Sequence, residues 1–286
     1  MRVLKSFEYF EPGTVEEAVG LLSSHEEKAK VLAGGVDLLP RMRQRKIQPE
    51  YIVNIQRIGE LDNIEGDGTK GLRIGALTTL RSIECSPIIQ KNYRALYEAV
   101  HQITSVQVKT MGTAVGNLCV ASPASDIATV LVALGSELKV NGITGERTIP
   151  IENFFIGPGR SALKPGEMVR ELLLPGLPQG TRGAFLNLVR TRSDIAKVSV
   201  AAIITVSNDT CQEARVALGA VAPTVFRAAK AEAVLKGHRL EPEVIEAAAN
   251  AACEETRTIS DLRSTAEYRK EMTRVLVRRA LERAKA

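Results

Sequence analysis

The sequence predicts an α+β protein in two parts, and three observations predict it. Up to Asn54 the chain alternates strand and helix patterns around a double glycine. A dense breaker cluster, Pro175-Gly176-Leu177-Pro178-Gln179-Gly180, divides the chain. Beyond it, closely spaced strand runs give way to three helical runs, the order of an α+β unit.

Each element has its own local reason. Residues 7–10 read as a strand, stopped by the turn pair Pro12-Gly13. Thr14-Val15-Glu16-Glu17 has the capping-box pattern, and Val15, Ala18, Val19 and Leu22 follow at helical spacing, so a helix runs to about Ser23-Ser24. Residues 30–33 form a strand that enters Gly34-Gly35, residues 38–45 a short helix, and Tyr51-Ile52-Val53-Asn54 a second apolar strand. Residues 71–77 read as a strand and residues 80–85 and 93–101 as helices. A glycine-rich segment, residues 112–117, precedes an apolar run over residues 126–134. Residues 137–140 and 168–174 read as strands. After the breaker cluster, residues 185–190, 198–206 and 215–221 form an antiparallel meander. Helices over residues 225–235, 242–254 and 266–284 complete the chain.

Composition narrows the function. At 44% hydrophobic and 25% charged, the 286 residues have the balance of a folded globular protein, which excludes disorder. No apolar run approaches the roughly 18 residues of a membrane span. The start, Met1-Arg2-Val3-Leu4-Lys5-Ser6-Phe7, lacks the apolar core of a leader and points to the cytoplasm. The net charge of +5 is mixed along the chain, and with 4% aromatic residues and no tryptophan there are few platforms for nucleic acid. Cys85, Cys119, Cys211 and Cys253, like His25, His101 and His238, are too scattered for a metal motif.

Two segments carry chemistry. In Ala33-Gly34-Gly35-Val36-Asp37-Leu38 the missing side chains free backbone N–H groups to face an anion at a helix start, or simply provide a tight turn. The second segment, Gly112-Thr113-Ala114-Val115-Gly116-Asn117, leads to Ser122-Pro123-Ala124-Ser125-Asp126, where Asp126 either caps a helix or bonds a sugar hydroxyl. Gly157-Pro158-Gly159 reads as a turn. There is no Walker A or G-x-G-x-x-G pattern, no G-x-S-x-G elbow and no H-E-x-x-H. With no catalytic side-chain constellation, the chain reads as one that holds a cofactor.

Read together, these segments resemble a known family. Leu32-Ala33-Gly34-Gly35-Val36-Asp37-Leu38-Leu39-Pro40-Arg41-Met42 is similar to the first FAD-binding loop of the molybdenum hydroxylase flavoprotein subunits, and Leu72-Arg73-Ile74-Gly75-Ala76-Leu77-Thr78-Thr79 to their middle strand. These are the medium subunits of aerobic carbon monoxide dehydrogenases and the FAD-binding subunits of xanthine dehydrogenases. Gly112-Thr113-Ala114-Val115-Gly116-Asn117-Leu118-Cys119 with Ala121-Ser122-Pro123-Ala124-Ser125-Asp126 resembles the second loop. Arg190 and Asp194-Ile195-Ala196 resemble the entry to the C-terminal domain, and Ser264-Thr265-Ala266-Glu267-Tyr268-Arg269 with Arg278-Arg279-Ala280-Leu281 its last helix.

The resemblance implies a two-subdomain FAD-binding fold of the vanillyl-alcohol-oxidase (PCMH) type over residues 1–176, split at about residue 55, and a smaller α+β domain over residues 177–286, an antiparallel sheet with helices. It implies that Val31, Leu32, Ala33, Gly34, Gly35, Val36 and Asp37 cradle the pyrophosphate of FAD and that Thr113, Gly116 and Asn117 close over it. Asp126 would bind the ribityl or phosphate region and Val169 the flavin edge. It also implies partners: a molybdopterin-binding large subunit with the molybdenum cofactor and a small subunit with [2Fe-2S] clusters, arranged as a dimer of heterotrimers. Electrons would pass from the clusters through FAD to an external acceptor. Basic residues Arg41, Arg43, Arg45 and Lys46, and those of the last helix (Arg269, Lys270, Arg274, Arg278, Arg279 and Arg283), are candidates for docking these partners. Two positions depart from the pattern. Val115 stands where a glycine is usual, and its Cβ is expected to restrict the backbone near phosphate; Leu186 stands where some members have lysine. A structural subunit without flavin and a stand-alone flavin-dependent NAD(P)H oxidoreductase are the alternative readings.

Overall fold

A computed structural model describes residues 4–286. Met1, Arg2 and Val3, the start of the segment read as lacking a leader, lie outside the described residues. The first subdomain contains β1 (Glu8–Phe10), α1 (Val15–His25), β2 (Ala29–Leu32), α2 (Leu38–Arg43) and β3 (Tyr51–Asn54). Its strands form a parallel sheet in the order β1-β3-β2. The capping box forms with a one-residue offset: Thr14 Oγ1 accepts from Glu17 N at 3.2 Å, while the Glu17 carboxylate accepts from Gly13 N at 2.7 Å. The stripe Val15, Ala18, Val19 and Leu22 is buried, as the spacing requires. His25 stacks on Tyr51 with ring centroids 3.7 Å apart, tying the end of α1 to β3.

The middle subdomain begins with the hairpin β4 (Ile64–Gly66) and β5 (Gly71–Gly75). Six short helices follow: α3 (Leu80–Cys85), α4 (Pro87–Asn92), α5 (Arg94–His101), α6 (Val106–Met111), α7 (Ala114–Cys119) and α8 (Asp126–Leu134). The hairpin β6 (Glu137–Gly142) and β7 (Gly145–Pro150), the small ribbon β8 (Phe155–Gly157) and β9 (Arg160–Ser161), and β10 (Met168–Pro175) complete it. The main sheet here is antiparallel, ordered β4-β5-β10-β6-β7.

The C-terminal part pairs β11 (Thr181–Leu188), β12 (Val198–Ser207), β13 (Thr210–Gly219) and β14 (Phe226–Arg227) antiparallel in sequence order. Helices α9 (Ala229–Leu235), α10 (Pro242–Glu254) and α11 (Ala266–Lys285) follow. Alternation along β12 explains its long apolar run. Val198, Val200, Ala202 and Ile204 join the core under these three helices, whereas Ala201 and Ile203 join the core of the first two subdomains. The sheet is therefore buried on both faces and welds the two parts together. No helix among the described residues is long and apolar enough to cross a membrane.

Candidate functional site

A cleft of about 810 Å³ separates the first subdomain from the middle one. Its near wall is the turn after β2. Here Gly35 adopts φ +69°, a conformation that favours glycine, and α2 starts three residues later. The amides of Gly34, Gly35, Val36 and Asp37 find no acceptor among the described residues. Asp37, which precedes α2, makes no side-chain cap, so the start of the helix is open as well. Such a cluster of unpaired N–H groups is what an anion needs.

The far wall is built by α6, the bend at Gly112 and α7. Thr113 caps α7, its Oγ1 accepting from Gly116 N at 2.9 Å. Asn117 faces the cleft, its Oδ1 accepting the Ser125 hydroxyl at 2.5 Å. The two walls meet backbone to backbone: a Cβ on Gly34 would lie 1.7 Å from the carbonyl oxygen of Met111. Lys30, Arg41, Arg160 and Lys164 also line the cleft and form no ion pair among the described residues. Of the lining carboxylates, Glu167 is held by Arg147 at 2.7 Å. Unpaired amides and cations beside a cleft of this size fit the pyrophosphate and ring systems of a dinucleotide.

Of the residues expected here, Val31, Ala33, Gly34, Gly35, Val36, Asp37, Thr113, Gly116, Asn117 and Val169 line the cleft. Two do not. Leu32 packs beneath the turn, where its Cδ1 would touch a Cβ on Gly35 at 3.1 Å, because alternation along β2 points it away. Asp126 lies behind the wall. Its carboxylate accepts from Asn187 of β11 at 2.8 Å, and its other oxygen has no partner. Burial pushes its pKa up to about 6, partly opposed by the hydrogen bond from Asn187. Nor is it the cap of α8: Ser125 is, accepting from Ala128 N at 3.0 Å.

Val115 is also corrected. It sits in the first turn of α7 with ordinary helical backbone, so its Cβ strains nothing, and its buried side chain supports the wall. Sequence reasoning missed the third side of the cleft, Ile156 and Gly159 to Ser161, with Lys164 and Met168. The only local signal was Gly157-Pro158-Gly159, read as a turn. It is the tip of the β8–β9 ribbon, and Gly159 N is tied to Ala121 O at 2.9 Å.

Residues 5–177 match the family described as FAD binding domain in molybdopterin dehydrogenase, and residues 183–284 match the CO dehydrogenase flavoprotein C-terminal domain. The chain is 36% identical to the carbon monoxide dehydrogenase medium chain of Hydrogenophaga pseudoflava, over 97% of this chain and 96% of that one. It is 31% identical to the nicotine 6-hydroxylase medium subunit of Paenarthrobacter nicotinovorans, over 99% of both. The carbon monoxide dehydrogenase structure from Hydrogenophaga pseudoflava, which lacks the Mo-pyranopterin moiety of the molybdenum cofactor, superposes with a TM-score of 0.95. That match has 37% identity and covers 99% of this chain and 98% of that one.

Proposed function

Since the chain belongs to the family of FAD-binding subunits of molybdopterin dehydrogenases, we propose that its cleft holds FAD between the turn at Gly34 to Asp37 and the wall from Gly112 to Asn117. The observation that carries this reading is the set of unpaired amides at Gly34 to Asp37, beside the backbone contact with Met111. The amides of the turn bind the pyrophosphate, with Arg41 and the other unpaired lining cations offsetting its charge. Thr113 and Asn117 fix the opposite wall, and Val169 gives the flavin an apolar floor. Bound there, FAD supplies one- and two-electron redox chemistry. The chain's own residues bind it, orient it and set the electrostatics around it.

The chain is the electron-transfer component of an oxidoreductase complex. It works with a molybdopterin-binding large subunit and a [2Fe-2S] small subunit, as a dimer of heterotrimers in the cytoplasm, divided near residue 177 into FAD-binding and C-terminal domains. The separate matches over residues 5–177 and 183–284 support that division. Of the two basic surfaces, α2 and its exit suit partner docking, since Arg43, Arg45 and Lys46 lie outside the cleft and form no ion pairs among the described residues. Much of the α11 cation set is engaged within the chain. Arg269 is buried on Asp261 and two backbone carbonyls, Arg274 and Arg278 pair with Glu246, and Arg283 pairs with Glu98.

The test is the visible spectrum of the full-length chain purified without added flavin. A flavin absorption that passes into the supernatant as FAD on denaturation is expected. Colourless protein that takes up no added FAD overturns the reading.

A further inference from the structure

The sequence of α6, Val106-Gln107-Val108-Lys109-Thr110-Met111, gives it little apolar anchorage. Val106 and Met111 are exposed, Val108 faces the cleft, and its only buried side chain is Lys109. A buried lysine needs a partner. Lys109 Nζ lies 2.7 Å from Glu84 Oε1 on α3, with only 7% and 6% of the two side chains exposed. Glu84 is held on both oxygens: His101 Nδ1 approaches Oε1 at 2.9 Å, and Arg81 Nη1 donates to Oε2 at 2.6 Å.

The other end of α3 is bonded to the same segment. Leu80 N donates to Gly112 O at 2.8 Å, and Thr79 bridges to Thr113. Helix α3 therefore lies along α6 like a splint, fixed at Gly112 and Thr113 by backbone and at Lys109 by charge. Between those two fixings sits Met111, whose carbonyl oxygen abuts Gly34 across the cleft.

Taking FAD as the ligand of the cleft, as proposed above, we infer that the buried Lys109–Glu84 pair positions the second loop against the first and so sets FAD affinity. Neither residue lines the cleft; both act through α6. Removing Lys109 cuts the charge tie between α6 and α3 and leaves Glu84 to Arg81 and His101, whereas removing the Glu84 charge strands Lys109 in the interior; in either case α6 is free to lift. The Met111 carbonyl then leaves Gly34, and the amide cradle loses its opposite wall.

The experiment titrates FAD into the full-length apo-chain and follows flavin fluorescence, with the thermal midpoint of each apo-protein measured alongside. Lys109→Met is expected to weaken FAD at least tenfold, and Lys109→Arg, which keeps the charge, to stay within about threefold of wild type. Arg269→Met serves as the control. It removes a buried arginine that binds two backbone carbonyls and the exposed Asp261 in the C-terminal domain, far along the chain, and lowers the thermal midpoint while leaving FAD affinity within about threefold. Glu84→Gln, which keeps the side-chain shape but leaves Lys109 without a counter-ion, is expected to weaken FAD at least tenfold as well and carries the test if Lys109→Met does not fold.

Normal affinity in both Lys109→Met and Glu84→Gln overturns the inference, as does a Lys109→Arg protein as weak as Lys109→Met. A loss as large in Arg269→Met does the same, since general destabilisation then explains everything. If the wild-type chain takes up no FAD, the cofactor reading fails first and this inference with it.

Discussion

Gly34 has the least room of the glycines that line the cleft. Its hypothetical Cβ meets a backbone oxygen, which cannot rotate away as a side chain could. Gly34→Ala is expected to cost about 1–3 kcal/mol of stability through forced backbone movement, and to weaken FAD at least tenfold in a fluorescence titration. Gly159→Ala is the informative contrast: φ is +71° but nothing lies within 4 Å, so it carries only the conformational cost of roughly 1 kcal/mol. Asp126 acts in the opposite direction. Its folded pKa of about 6 lies above the ordinary 3.8, so the folded state binds the extra proton. That contribution is complete below about pH 4 and is lost as the pH rises through 6, amounting to ~3 kcal/mol. Asp126→Asn should abolish this loss and raise the thermal midpoint at pH 7 while leaving it nearly unchanged at pH 4. A midpoint with the same pH dependence in both proteins would contradict the assignment.

At the scale of elements, Thr113 joins cap and wall. Thr113→Ala is expected to remove about 1 kcal/mol from α7, seen as a lower urea midpoint with an unchanged slope, and to weaken FAD by a smaller factor than Gly34→Ala. The elements also show what the sequence reveals. Helix α1 was readable because cap, stripe and breaker agree within one segment. Strand β12 was readable from its long β-branched run, whereas the strand expected over residues 215–221 begins at Thr210, because Gln212 and Glu213 break the apolar signal of its first half. Helices α4, α6 and α7 were not readable: α4 opens on Pro87, α6 is rich in β-branched residues at Val106, Val108 and Thr110, and α7 carries a glycine. Strand β7, Gly-Glu-Arg-Thr-Ile-Pro, hides because it is a charged edge strand. The helix expected over residues 225–235 starts only at Ala229, because Phe226 and Arg227 pair with β13. At the site, both glycine loops were visible as local patterns. The Gly34–Met111 contact and the β8–β9 wall were not, because they depend on segments distant in sequence meeting in space.

Across the whole molecule, Glu98 on α5 binds the two parts together. Its carboxylate accepts from Phe185 N of β11 at 3.1 Å, from Arg94 at 3.0 Å and from Arg283 of α11 at 2.6 Å. Burial makes these bonds matter, so Glu98→Ala leaves a buried amide unsatisfied and is expected to cost about 2–4 kcal/mol. Calorimetry should show a lower midpoint and a broader transition, as the C-terminal sheet loosens from α5 and α8. The same weld gives the cleft a rigid back wall, since the β12 face that meets α8 shares its core with the strands lining the site.

The most direct measurement is a calorimetric titration of FAD into the full-length chain, run in parallel on the wild type and on Gly34→Ala. The account predicts one FAD bound per wild-type chain and at least tenfold weaker binding in the variant. Equal affinity in the two proteins, or no binding by the wild type, would contradict it.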